Sequence, residues 1–164
     1  MVQRYLIALG SNRRHQRHGP PERVLRAALA ALGANGVPVV AAAPILRSAP
    51  LGPSRRRYAN SAALIETRLS PPDLLRELKR IEAAFGRRSG GQRWTSRVLD
   101  LDVLLWSGGI WADPDLTVPH REFRQRDFVL RPALALAPAW RDPITALSLR
   151  QLHARLTRPR PIPR

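Results

Sequence analysis

Hydrophobic and polar positions alternate along the chain in two periods, and the switches between them mark out the elements. Val2–Leu9 is an apolar, β-compatible run that closes on the turn signal Gly10-Ser11-Asn12. Arg13–Pro20 is polar and predicts a loop. Pro21-Glu22 then opens a helix in which Val24, Leu25, Ala28, Leu29 and Leu32 share one face and Gly33 stands near the end. Val37–Ile45 predicts a second strand and Tyr58–Leu69 a third. Between them, Ser48–Arg57 holds two prolines, one glycine and three arginines and predicts a long loop. Ser70-Pro71-Pro72-Asp73 starts a helix that Leu74, Leu75, Leu78 and Ile81 carry to Gly86. Val98–Trp106 predicts a fourth strand, and Phe128–Leu136 and Ile144–Leu156 predict helices. The order β-α-β-β-α-β is that of split βαβ folds. The expected class is therefore α+β, a ferredoxin-like βαββαβ sandwich with additional C-terminal helices. No repeat or linker divides the chain, so residues 1–157 are expected to form one domain and residues 158–164 a flexible tail.

Composition narrows the classes that remain. With 28 Lys+Arg against 12 Asp+Glu, the 164-residue chain carries a formal net charge of +16. Lys79 is the one lysine, an arginine bias that makes the distribution more informative than the total. Residues 1–60 sum to +9, residues 61–120 to zero and residues 121–164 to +7. Basic flanks favour a polyanion, either a nucleic acid or a nucleoside triphosphate. The absence of cysteine excludes disulfides, thiolate metal sites and a cysteine nucleophile. No apolar run approaches the roughly 18 residues of a membrane span. The stretch Tyr5–Leu9 is shorter than the about 7–15 residues of a signal-peptide core. A cytoplasmic protein with no membrane partner is expected.

The chemistry concentrates in the neutral middle. In Leu99-Asp100-Leu101-Asp102-Val103, strand alternation sends both aspartates to one side and the apolar residues to the other. Two carboxylates about 7 Å apart on a strand face suit a hard cation such as Mg²⁺. A strand with one solvated polar face is the competing reading. The preceding segment, Gly86 to Arg97, supplies four arginines, three glycines and Trp94. Arginine forks bind phosphate oxygens, and glycines let a loop close over a ligand. Beside an acidic pair, that combination favours a nucleoside triphosphate. A Walker-type phosphate loop is excluded, because Lys79 follows Leu78 and not glycine. Further on, His120 follows Val118-Pro119 and precedes Arg121, Arg124 and Arg126; a histidine there can meet a phosphate. His15, His18 and His153 lack such a context and are expected at the surface.

Taken together, these stretches resemble the 6-hydroxymethyl-7,8-dihydropterin pyrophosphokinases of folate biosynthesis. The resemblance rests on Tyr5-Leu-Ile-Ala-Leu-Gly-Ser-Asn12, Pro50-Leu-Gly-Pro53, Tyr58-Ala-Asn60, Arg80-Ile-Glu82, Gly86-Arg87, Arg93-Trp94-x-x-Arg97, Leu99-Asp-Leu-Asp102, Val118-Pro-His120 and Phe128-Val-Leu130. It implies transfer of the β,γ-diphosphate of ATP to the hydroxymethyl group of 6-hydroxymethyl-7,8-dihydropterin, with release of AMP. By that resemblance Asp100 and Asp102 hold two Mg²⁺ and act in catalysis with Arg87 and Arg97. Glu82, Arg93, Trp94, His120 and Arg126 serve ATP. Ser48, Leu51, Gly52, Tyr58, Asn60 and Phe128 form the pterin slot, where Asn60 reads the guanidine-like edge and Phe128 stacks on the ring. Asn12 is a supporting residue. The family commonly has threonine where Ser48 stands, and proline or tyrosine where Arg121 stands.

The rival class is a basic ferredoxin-like module that binds nucleic acid. RNA-binding versions of that fold stack bases on adjacent central-strand aromatics. Here Tyr5, Tyr58 and Trp106 form no such pair, and the two aspartates repel phosphate. A monomer without a nucleic-acid partner is expected.

Overall fold

The computed structural model describes residues 1–48, 57–86 and 98–159. Its centre is an antiparallel sheet in which β1 (Gln3–Ser11) lies between β4 (Tyr58–Thr67) and β5 (Asp100–Trp106). On the far side of β4 lie β2 (Val39–Ala42) and β3 (Leu46–Ser48), so the order is β2-β4-β1-β5 with β3 also on β4. A ribbon of β6 (Trp111–Ala112) and β7 (Thr117–Val118) follows. The helices are α1 (Pro21–Ala34), α2 (Pro71–Ala84), α3 (Asp127–Leu136) and α4 (Leu149–Thr157).

Alternation along the strands builds two cores. Odd-numbered Tyr5, Ile7 and Leu9 join Ala59, Ala63, Ile65, Leu101 and Val103 under the apolar stripes of α1 and α2. Even-numbered Leu6 and Ala62 join Leu104, Leu105 and Phe123 under Leu130 and Ala133 of α3 and Leu149 and Leu152 of α4. Each fully buried leucine or isoleucine contributes about 1.5–3 kcal/mol. Proline at N1 starts α1, and the Ser70 hydroxyl caps α2 by accepting from the Asp73 N–H at 3.4 Å. A capping box of Ser148 and Gln151 starts α4.

One irregularity sits in β5. Leu6 faces Leu105 and Ile7 faces Val103, so Leu104 is an extra residue and the alternation resets there. Leu104 and Leu105 both enter the α3/α4 core, and Trp106 returns to the other face, stacking on Tyr5.

Several expectations need correction. Within the strand expected over Val37–Ile45 only Val39–Ala42 pairs, as β2; the ladder breaks at Ala43–Ile45, where Pro44 lacks a donor, and β3 begins beyond it at Leu46. The helix expected over Ile144–Leu156 starts only at Leu149, because Asp142 draws the preceding residues into a turn: its side chain accepts from the Ile144 N–H and the Thr145 hydroxyl. Gly10 and Ser11, expected in a turn, extend β1. The three histidines expected at the surface are half-buried: His15 stacks on His18 and lies tilted against Phe85, His18 stacks on Phe85, and His153 Nε2 meets Asp127 at 2.9 Å. Among the described residues, no helix is long and apolar enough to cross a membrane.

Candidate functional site

The register of the sheet assembles the polar residues. In one cross-strand row Leu46 faces Asn60, Asn60 faces Gly10, and Gly10 faces Asp100. In the adjacent row Ala62 faces Ala8, and Ala8 faces Asp102. Ser48 faces Tyr58 at the strand ends. Directly opposed residues of an antiparallel ladder point to one side. Ser48, Tyr58, Asn60, Asp100 and Asp102 therefore share the sheet face on which α3 and α4 pack, and all five are half-buried.

Glycine and alanine form the floor between the amide and the acidic pair. A Cβ on Gly10 would lie 3.3 Å from the Asn60 Oδ1, so glycine here admits the Asn60 side chain at close range. Ala8 leaves space beside Asp102 in the same way. Expected roles missed this floor, since the Gly10-Ser11-Asn12 triplet reads locally as a turn. Two carboxylates on one face repel each other, and a cation between them removes that cost.

Glu82 was expected among the ATP contacts. It is fully buried, and its carboxylate accepts the Leu101 N–H at 2.8 Å and the Lys79 ammonium at 3.2 Å. Because Leu101 stands between the two aspartates, Glu82 anchors the backbone of the acidic strand from α2. Its buried carboxylate thus reaches β5 from the α2 side of the sheet.

The remaining contacts arrive on the segment after β7. The His120 N–H donates to the Leu104 carbonyl at 3.0 Å, which fastens the segment to the extra residue of β5. The His120 Nδ1 accepts from the Glu122 N–H at 3.3 Å. Arg126 pairs with Glu122 and places its guanidinium 5.9 Å from the ring centre of Phe128. Phe128 is 36% exposed in the first turn of α3, which packs on β4 and β3. Leu51, Gly52, Arg87, Arg93, Trp94 and Arg97 lie outside the described residues.

The sequence profile of the 7,8-dihydro-6-hydroxymethylpterin-pyrophosphokinase (HPPK) family matches residues 6–138. The chain belongs to the HPPK family. It is 41% identical over 147 residues to the 2-amino-4-hydroxy-6-hydroxymethyldihydropteridine pyrophosphokinase of Pseudomonas aeruginosa, covering 87% of this chain and 86% of that protein. The Haemophilus influenzae protein of the same name is 41% identical over 133 residues, covering 80% of this chain and 79% of that one. An HPPK-DHPS crystal structure from Plasmodium falciparum superposes with a TM-score of 0.70 at 11% identity, over 94% of this chain and 45% of that chain. That likeness concerns the fold alone, a mixed α/β arrangement around an antiparallel sheet. The HPPK match leaves the nucleic-acid reading without support.

Proposed function

We propose that the protein transfers the β,γ-diphosphate of ATP to the hydroxymethyl oxygen of 6-hydroxymethyl-7,8-dihydropterin, releasing AMP. The observation that carries this reading is the HPPK match over residues 6–138, which includes both rows of the polar face. In the reaction the hydroxymethyl oxygen forms a bond to the β-phosphorus, the bond from that phosphorus to the AMP oxygen breaks, and the hydroxyl proton leaves.

The residues fit a divalent cation bound jointly with phosphate. Asp100 and Asp102 offer oxygen ligands over a floor of glycine and alanine, and Mg²⁺ prefers one or two carboxylates plus substrate phosphates to a closed protein cage. Bound there, Mg²⁺ neutralises the triphosphate; two ions are the expected number. The chain's own residues do the rest. Asn60 turns its amide to the guanidine-like edge of the pterin, and Tyr58 and Phe128 border the ring. His120 and Arg126 bring positive charge and hydrogen-bond donors to the nucleotide. Glu82 holds the Leu101 amide and with it the spacing of the acidic pair. Ser48 closes the slot beside Tyr58.

The strand order and all-antiparallel pairing support a ferredoxin-like βαββαβ core within a single domain spanning residues 1–157. We read the protein as a cytoplasmic monomer. The decisive assay mixes purified protein with ATP, Mg²⁺ and the pterin alcohol and separates the nucleotide products. AMP with pterin diphosphate is expected. ADP, or no pterin-dependent product, overturns the reading.

A further inference from the structure

From His120 to Phe128 the chain carries three of the expected substrate contacts with little regular structure of its own. A single 3-10 turn, Phe123–Gln125, lies between them. One end is fastened to Leu104 of β5 and the other runs into α3. Of the side chains that would meet the nucleotide, Arg126 is loosely held: its partner Glu122 is exposed, and exposed pairs of this kind contribute little. The middle, in contrast, is held by a buried fork. Arg124 donates through Nε and Nη2 to the two carboxylate oxygens of Asp142 at 2.7 and 2.8 Å.

Asp142 is fully buried, and its other partners are the Thr145 hydroxyl at 2.6 Å and the Ile144 N–H at 3.1 Å. The Arg124 guanidinium also lies 4.7 Å from the ring centre of Phe123, which is fully buried in the α3/α4 core. A two-bond planar fork fixes orientation as well as distance, and a single contact does not. It sits four residues beyond His120 and two before Arg126, and it ties both to the turn before α4.

We infer that the Arg124–Asp142 pair is a positioning device for nucleotide binding, which sets the backbone of His120 and Arg126 against the ATP phosphates. The inference rests on the pyrophosphokinase reading above. Arg124 commits its fork to Asp142, and Asp142 has no exposed surface, so the pair acts through the segment it holds. Breaking the fork lets the turn rotate, and a displacement of about 1 Å at a substrate-positioning group is enough to cost up to about a hundredfold. Pterin binding is affected less, because Phe128 belongs to α3, which Leu130 and Ala133 pack independently against the sheet.

The test compares the full-length wild type with Asp142→Asn, Arg124→Lys and Leu152→Ala. Leu152 lies in the same core on α4, at 6% exposure, and takes no part in the hydrogen bonds of the fork. Thermal midpoints are measured for each, with dissociation constants for a non-hydrolysable ATP analogue with Mg²⁺ and, separately, for the pterin alcohol. Dissociation constants are read at a temperature where each variant is folded. Asp142→Asn and Arg124→Lys are expected to weaken nucleotide binding about tenfold and pterin binding less than about threefold. Leu152→Ala is expected to lower the midpoint with nucleotide affinity preserved. Nucleotide affinity unchanged in the pair variants, or weakened as much by Leu152→Ala, overturns the inference. If Asp142→Asn does not fold, Arg124→Lys, which keeps the charge and loses the fork, decides alone. Failure of the wild type to form AMP overturns the pyrophosphokinase reading instead, and the analogue-binding measurements remain interpretable by themselves.

Discussion

Beneath α1 and α2, the sheet presents Tyr5, Ile7 and Leu9 of β1, Ala63 and Ile65 of β4, and Leu101 and Val103 of β5, an apolar surface closed along its length. On the reverse, the same three strands present Leu6, Ala62 and Leu104 under α3 and α4, and further along the half-buried Asn60, Gly10, Asp100 and Asp102. A half-buried carboxylate keeps part of its hydration, whereas the fully buried Asp142 and Glu82 depend on hydrogen-bonded partners. A site of this kind arises where one sheet face passes from fully buried apolar residues to half-buried polar ones. The apolar part supplies rigidity and the polar part supplies chemistry.

Neighbouring residues on β5 test that contrast most sharply. Asp100→Ala and Asp102→Ala are expected to reduce AMP formation at least about a thousandfold, roughly 4 kcal/mol of transition-state stabilisation, with little change in thermal midpoint. Leu101→Ala, between them and fully buried on the other face, is expected to destabilise by about 2–5 kcal/mol while the folded fraction stays active. If calorimetry gave Asp102→Ala the midpoint loss of Leu101→Ala, the division of labour between the faces would not hold.

The covered half of the reverse face has its own acid dependence. Burial pushes the Asp142 carboxyl up, but hydrogen bonds from Arg124, Thr145 and the Ile144 amide, together with the Arg124 charge, outweigh it and hold the pKa at about 2. A depressed carboxylate stabilises the fold at pH values above its unfolded pKa of about 3.9 and loses that contribution as pH falls through about 2. The difference corresponds to a few kcal/mol. Urea unfolding between pH 2 and 6 should show this slope in the wild type and a shallower one in Asp142→Asn.

The smallest change probes the floor. In Gly10→Ala, the new Cβ meets the Asn60 Oδ1 at 3.3 Å, so the amide must shift by a few tenths of an ångström. A loss of about 1 kcal/mol in stability is expected, with a several-fold rise in the pterin KM and an unchanged KM for ATP. Steady-state kinetics with each substrate varied in turn checks the split.

Much of this architecture is legible in the chain because burial writes it locally. Val24, Leu25, Ala28 and Leu32 announce α1, and Leu99-Asp-Leu-Asp-Val announces both faces of β5. The acidic pair was readable for the same reason. Ser48, Tyr58, Asn60 and Phe128 come from three elements, and only the register of β3 on β4 and the docking of α3 bring the first three into line with the fourth's helix; the family resemblance, and no spacing, pointed to them. The Arg124–Asp142 fork spans 18 positions with no periodic mark. Pro44 and the Ser148–Gln151 box were visible signals, yet a continuous apolar run hid the break at the one and an early Ile144 masked the helix start at the other. Ile144 itself is 59% exposed.

The extra residue at Leu104 gives β5 a built-in phase boundary. The carboxylates on one side of it and Trp106 on the other each keep their faces whether that residue is present or absent, since Ile7 opposite Val103 and Leu6 opposite Leu105 already make a regular ladder once it is skipped. Loss of Leu101 would instead move Asp100 into its place opposite Leu9, on the apolar face beneath α1 and α2. Length variation is thus affordable at a single point of the strand. What a deletion there removes is the carbonyl that seats His120, so strand length at that point adjusts the nucleotide end and leaves the acidic pair where it stands.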